Sequence, residues 1–166
     1  MANKAVSNTG PILHLYEINL LKVLDLFLHI LIPYEVENEL RKNKIIFPSK
    51  VKVAALKNEF KDKAKIFVNQ HDLDFGEAEA ITLALQERAD YFLTDDLDAR
   101  QVAKDYHLNV HGTIGIILRS YRESIISKEL AIEKVRELKT KSSLFITQDL
   151  IDEVIKTIQD FSRENK

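Results

Sequence analysis

The feature that most constrains this chain is the alternation of two periodicities along it. Short apolar runs occur at Lys4-Ala5-Val6-Ser7, His29 to Ile32, Ala64 to Val68, Tyr91 to Leu93 and Asn109 to His111. Runs of this length between turn residues suit strands. Between them, apolar residues recur at three- and four-residue intervals, which predicts helices. Pro11 opens one that carries Ile12, Leu15, Tyr16 and Leu20, and Pro33 opens one running to about Arg41. Ser49 caps a basic helix through about Lys61. Gly76 to Arg88 and Leu97 to Tyr106 complete the set between strands, and Thr113 to about Arg122 follows the last one. Strands alternating with helices predict an α/β fold in three layers, α/β/α, around a parallel sheet of about four to five strands. The 166 residues fit one domain, 1–166. Two further helical patterns, Lys128 to Lys139 and Gln148 to Phe161, extend it from about residue 127, with Ser127 and Thr147 as N-caps.

Composition narrows the chemistry. The chain has no Cys, which excludes disulfides and thiolate-bound zinc. No apolar run reaches the roughly 18 residues of a membrane span. The richest stretch, Ile12 to Ile32, is interrupted by Glu17, Lys22, Asp25 and two His. The N-terminus lacks a basic segment followed by an apolar one, so no secretory signal or membrane association is expected, and a cytoplasmic location is. Net charge is only −2, but it is unevenly spread. Arg41 to Lys65 holds nine Lys/Arg against two acids, and His71 to Asp98 holds nine acids against one Arg. Such a pair of segments can grip a polyanion and hold divalent cations beside it; as solvated helix faces they would do neither.

In a parallel α/β sheet, ligands bind beyond the carboxyl ends of the strands. The places to look are therefore just after Ser7, Val68, Leu93 and His111. Asn8-Thr9 follows the first strand, and Thr94-Asp95-Asp96, with Asp98 one step on, follows the fourth. Gly76-Glu77-Ala78-Glu79-Ala80-Ile81 opens a helix. On a helical projection Glu77 falls between Ile81 and Ala84, inside the apolar stripe, whereas Glu79 falls between Thr82 and Gln86 on the polar side. A core-facing carboxylate at a helix start is costly unless a cation or donors meet it. Glu79 is sufficiently explained by the helix dipole. Glu39 shows a weaker version of the Glu77 pattern, flanking the buried side set by Val36 and Leu40. One of the three Asp near residue 96 is expected to cap the Leu97 helix. Three acids and Glu77 at one sheet edge exceed what capping needs, and hard oxygen ligands suit Mg²⁺ or Mn²⁺. The sequence holds no GxGxxG, Walker loop or GxSxG elbow, and its His are not at metal-ligand spacing. Gly112-Thr113 opens a helix that could hold a phosphate or serve as a turn and cap.

These pieces resemble the PIN-domain family, in particular a subfamily of nucleic-acid-binding proteins related to the ribonuclease toxins of type II toxin–antitoxin pairs. The matching segments are Val6 to Ile12, Ile32-Pro33 with Val36 and Glu39-Leu40, Leu73 to Ile81, Leu93 to Asp96 with Ala99-Arg100, and His111 to Gly115. The resemblance spans nearly the whole chain. It implies a shallow acidic pocket that binds Mg²⁺ or Mn²⁺ and hydrolyses RNA phosphodiester bonds, with Asn8, Glu39, Glu77, Asp95 and Asp96 as catalytic residues. Glu39, Glu77, Asp95, Asp96 and Asp98 would ligate metal, and Thr94, Arg41, Lys42 and Lys44 would bind substrate. It also implies RNA as partner, a small antitoxin protein and a homodimer. The chain departs from the family at Asn8, where most active members carry Asp. The carbonyl oxygen remains but the charge is lost, which lowers metal affinity. The alternative implied is a PIN-like protein that binds RNA, or an antitoxin, without cutting RNA.

Overall fold

The computed structural model describes residues 2–164. Five strands are formed: β1 (Ala2–Ser7), β2 (Phe27–Ile32), β3 (Val51–Val53), β4 (Tyr91–Leu93) and β5 (Val110–His111). All pair in parallel, in the order β3-β2-β1-β4-β5. The central strand β1 buries Ala5 and Val6 completely, as a strand covered on both faces must. Among the described residues, eight α-helices surround the sheet: α1 (Thr9–Glu17), α2 (Tyr34–Lys42), α3 (Asn58–His71), α4 (Phe75–Gln86), α5 (Leu97–Asp105), α6 (Thr113–Arg122), α7 (Lys128–Lys141) and α8 (Gln148–Glu164). Phe27, Phe67 and Phe92 are the largest fully buried side chains. The expected α/β architecture with a parallel sheet is what forms. None of the described helices is long and apolar enough to cross a membrane.

The strand order reverses at β1, which has β2 on one side and β4 on the other. The register places Ser7 against Leu93, and the Asn8 amide donates to the Leu93 carbonyl at 2.8 Å. The two chain segments leaving these strands diverge, and the crevice they leave is where an open α/β sheet binds ligands.

Two expected elements are corrected. The basic helix expected from Ser49 to about Lys61 starts only at Asn58, as α3; Val51–Val53 is instead the edge strand β3, paired through Ile30↔Val51. The strand expected at Ala64 to Val68 lies inside α3. The run reads as apolar and β-prone, but only Ala64 and Phe67 are buried while Ile66 is exposed, a spacing of three that belongs to a helix. A ligand position after Val68 falls with it. The first helix begins two residues before Pro11, with Asn8 as its cap, and ends before Leu20 because Asn19 takes a left-handed conformation (φ 53°). Residues Leu21–Leu26 then form a 3-10 turn into β2. Ser127 caps α7 through the Leu130 amide, as expected, and Thr147 accepts from the Leu150 amide at the start of α8.

Candidate acidic site at the ends of the first and fourth strands

A cleft of about 300 Å³ opens beyond β1 and β4. Asn8, Glu39, Asp74, Glu77, Asp95 and Asp96 line it, together with Thr9, His14 and the loop Ser143 to Phe145. Five elements converge: Asn8 and Asp96 cap α1 and α5, Glu39 comes from α2, Asp74 and Glu77 from the start of α4, and the loop from between α7 and α8.

The two sides of the cleft differ in how their acids are satisfied. Asp95 is almost fully committed to the protein. Its Oδ2 lies 2.6 Å from His14 Nδ1 and accepts from the Thr113 hydroxyl at 2.5 Å, and its Oδ1 accepts from the Thr113 amide at 2.7 Å. Burial pushes its carboxyl up, but these donors and the His14 ring outweigh that and hold it below the ordinary Asp range. The helix start at Thr113, which the sequence leaves as a phosphate site or a turn and cap, is therefore occupied by Asp95. A Cβ at Gly112 would stand 2.8 Å from Asp95 Oδ1, so the absent side chain is what lets the carboxylate reach that helix end.

Across the cleft, acids crowd with few donors. Glu77 and Asp74 form a capping box: Asp74 Oδ1 accepts from the Glu77 amide at 2.8 Å, and Glu77 Oε2 from the Asp74 amide at 3.0 Å. Burial, and then the charges of Asp74, Asp96 and Glu39, drive the Glu77 carboxyl up to about 7 against the single opposing amide. Burial likewise raises Glu39, aided by Asp74 and Glu35 and opposed by the Thr9 hydroxyl, which donates to Glu39 Oε2. A Cβ on Gly76 would come within 2.8 Å of Glu39 Oε1, so this glycine lets Glu39 lie against the start of α4. Asp96 spends Oδ1 on capping the Ala99 amide.

The remaining expected residues are placed as follows. Asn8 is buried; its Oδ1 accepts from the Thr9 amide at 3.0 Å and its Nδ2 donates to Thr94 Oγ1 at 3.4 Å. Thr94 is buried and braces Asn8 and the Asp96 amide, but does not line the cleft. Asp98 is exposed and outside the cleft, and so are Arg41, Lys42 and Lys44. Glu79 is half-buried rather than on a solvated face, because α4 is covered nearly all round; Thr82, expected on the polar side, is fully buried. Glu79 does not line the cleft. Sequence reasoning missed His14, Asp74 and the Ser143–Phe145 loop. Asp74, three residues before Glu77, carried a capping-box signal. Glu17 pins the loop by accepting from the Ser143 amide and hydroxyl at 2.7 and 3.0 Å, a contact across 126 residues that no local pattern announces.

The donor set fits an ion of the Mg²⁺ or Mn²⁺ type. All candidate ligands are carboxylate oxygens, and burial with the charges of Asp74, Asp96 and Glu39 makes ionisation of Glu77 costly in a way that a cation would relieve. Among the described residues no three acids or histidines close around a common point. An ion here fits the arrangement of one or two carboxylates with water completing the shell.

Comparison with known proteins agrees with this fold. A family model described as a PIN domain matches residues 4–160. A solved PilT N-terminus domain protein from the hyperthermophilic archaeon Sulfolobus solfataricus is similar in fold, with a TM-score of 0.52 at 21% identity over 70% of this chain and 92% of that one. A search of curated proteins found no match.

Proposed function

The chain belongs to the PIN-domain family, whose members are generally nucleases, and we propose on that premise that it is a metal-dependent endoribonuclease hydrolysing RNA phosphodiester bonds. The observation that carries the reading is the gathering of Glu39, Asp74, Glu77 and Asp96 in one cleft, where burial, and then the neighbouring acids, raise the Glu77 carboxyl to about 7. A site of that kind favours a divalent cation and, through it, a phosphate.

Glu77 through Oε1, Asp96 and Glu39 are the residues that would hold Mg²⁺ or Mn²⁺, and the ion would supply a water of lowered pKa and neutralise charge at the phosphate. Glu77 has a second task. With Oε2 tied to the Asp74 amide, its other oxygen is the one free to carry a proton, and near neutral pH that proton is present about half the time. Cation binding therefore competes with the proton and strengthens as pH rises through 7. The Thr9 hydroxyl fixes Glu39, and Asn8 fixes the turn after β4 through Thr94. Asp95 orients the ends of α1 and α6 and is removed by its own bonds from the set of ligands. Lys42 and Lys44, exposed at the end of the helix that carries Glu39, would follow the RNA backbone.

The test is RNA cleavage with Mn²⁺ by wild type and Glu77→Gln. Glutamine keeps an oxygen for the Asp74 amide and removes the charge, so the fold is spared. A rate loss of about a hundredfold or more is expected. Equal rates, or no cutting by either protein across several RNAs, sink the proposal. One observation favours a second reading, RNA binding without cleavage: Asn8 occupies a buried position where a further carboxylate would complete the set. That reading predicts RNA binding that Glu77→Gln leaves unchanged or strengthens.

A further inference from the structure

A second pocket of about 460 Å³ adjoins the acidic cleft and shares Asp95, Leu144 and Phe145 with it. Its character is different. Leu97, Ile114, Leu118, Ile146 and Leu150 form its walls. Phe145 stands between the two cavities with 92% of its surface exposed, and Leu97 is 77% exposed. Aromatic and aliphatic groups held this open to water at the rim of a polar cleft cost free energy unless something covers them.

Among the described residues, the one Lys or Arg in the pocket wall is Arg100. Among the described residues it has no ion pair, although Asp95 lines the same pocket, because Asp95 is taken by His14 and Thr113. Its guanidinium makes a single long hydrogen bond, from Nη2 to the Thr94 carbonyl at 3.4 Å, and its Nε is buried without a partner. A guanidinium in that condition gains by turning toward an acceptor that enters the pocket.

We propose that this pocket is a nucleobase subsite, in which Phe145 stacks an unpaired base next to the scissile phosphate and Arg100 reads its acceptor edge, with guanine preferred. The volume is within the range of small-ligand sites. Stacking needs an exposed ring over an apolar floor, which Phe145 and the leucines provide. The edge of guanine offers two adjacent acceptors, O6 and N7, that match an arginine fork. The shared lining places the base one step from the acidic cleft, so the pocket selects which phosphate is presented. A double-stranded segment cannot offer a base this way, so the substrate at this point is single-stranded. The inference deepens the RNA reading of the cleft and rests on it for the identity of the polymer.

The test separates binding from cutting. Labelled single-stranded pentamers, UUGUU and UUCUU, are titrated by fluorescence anisotropy in EDTA, where cation-dependent cleavage is off. Wild type is expected to bind UUGUU about tenfold tighter than UUCUU. Phe145→Ala is expected to weaken both by about tenfold, and Phe145→Tyr to restore them. Arg100→Gln is expected to abolish the preference while retaining the binding that stacking gives. Phe145 is almost wholly exposed, so its truncation does not threaten the fold; circular dichroism checks Arg100→Gln. The proposal is overturned if wild type binds neither pentamer, if Phe145→Ala binds both as wild type does, or if Arg100→Gln weakens both equally, the mark of a phosphate contact. A protein that passes and cuts no RNA with Mn²⁺ keeps the base pocket and loses the nuclease. One that cuts RNA and fails here loses the pocket alone.

Discussion

Asp95 and Glu77 line the same cleft and are treated in opposite ways by the fold. Asp95 is the more buried of the two, yet three donors from His14 and Thr113 keep it charged below the ordinary range. Glu77 is only half-buried, yet that burial, with three neighbouring acids added and a single amide against it, raises it to about 7. The difference shows that burial alone does not decide what a carboxylate does; the balance of donors against like charges does. The Asp95 side ties α1, β4 and α6 together. The Glu39–Glu77 side is held in an electrostatically unfavourable state by the rest of the fold, which is the condition of a binding site rather than of a brace.

Removing Asp95 should therefore break the structure more than the chemistry. Asp95→Ala leaves His14 and both Thr113 donors without an acceptor in a closed region, and a loss of about 3–5 kcal/mol is expected in urea unfolding. Glu77→Gln should cost little, and at pH 8 without divalent cation it should stabilise. A loss on Asp95→Ala no larger than on Glu77→Gln would erase the distinction.

The pH dependence of stability follows from the same contrast. For Glu77 the folded value, about 7, lies above the ordinary 4.5, so the folded state binds the proton more tightly than the unfolded chain. Its contribution is fully present below about 4.5 and is lost as pH rises through about 7. For Asp95 the folded value is lowered, so its contribution is present above about 3.8 and is lost as pH falls below that. In EDTA the protein should be more stable at pH 5.5 than at pH 8, by on the order of 1–2 kcal/mol once water screening is allowed for. Mn²⁺ should shrink that gap, and Glu77→Gln should remove it. A flat profile from pH 5.5 to 8 in wild type would show that Glu77 is not held near neutrality.

Much of this was legible in the sequence because it was local. Tyr91 to Leu93 and Thr113 to Arg122 have the bounds their periodicity predicts. The parallel three-layer arrangement follows from alternation, and the position of Asn8 and Thr94-Asp95-Asp96 follows from strand ends. What escaped was set by tertiary burial. Ala64 to Val68 carries strand-forming residues, but the sheet's outer edge is taken by Val51–Val53, and Phe67 packs as a helical residue. In α4, Thr82 and Glu79 are enclosed by neighbours that a projection of one helix does not include. The donors that tie down Asp95 come from His14 and Thr113, far from it in sequence, and no count of carboxylates at one sheet edge includes them.

Asn8 sharpens the comparison from the other direction. Asn8→Asp keeps an oxygen for the Thr9 amide but loses the donor to Thr94, and adds a charge to a buried place at the cleft. Without cation the variant should be less stable than wild type. With Mn²⁺ it should bind about tenfold tighter by calorimetry, since affinity follows ligand charge count. Unchanged affinity would place this position with Asp95, as a brace for the strand ends.

The smallest effect expected is on the approach of substrate. Arg41 is paired with Glu37, at 2.7 Å, whereas Lys42 and Lys44 have no ion pair among the described residues. A phosphate contact by an exposed lysine releases about 0.7 counterion on single-stranded RNA. Lys42→Ala and Lys44→Ala should each flatten the slope of log affinity against log salt by about 0.7, and Arg41→Ala by less because its charge is already partly answered. Because neither lysine lines the cleft, both should leave the cutting rate at saturating RNA unchanged. A fall in that rate instead of in the salt slope would mean that the end of α2 belongs with Glu39 and Glu77, on the crowded side of the cleft.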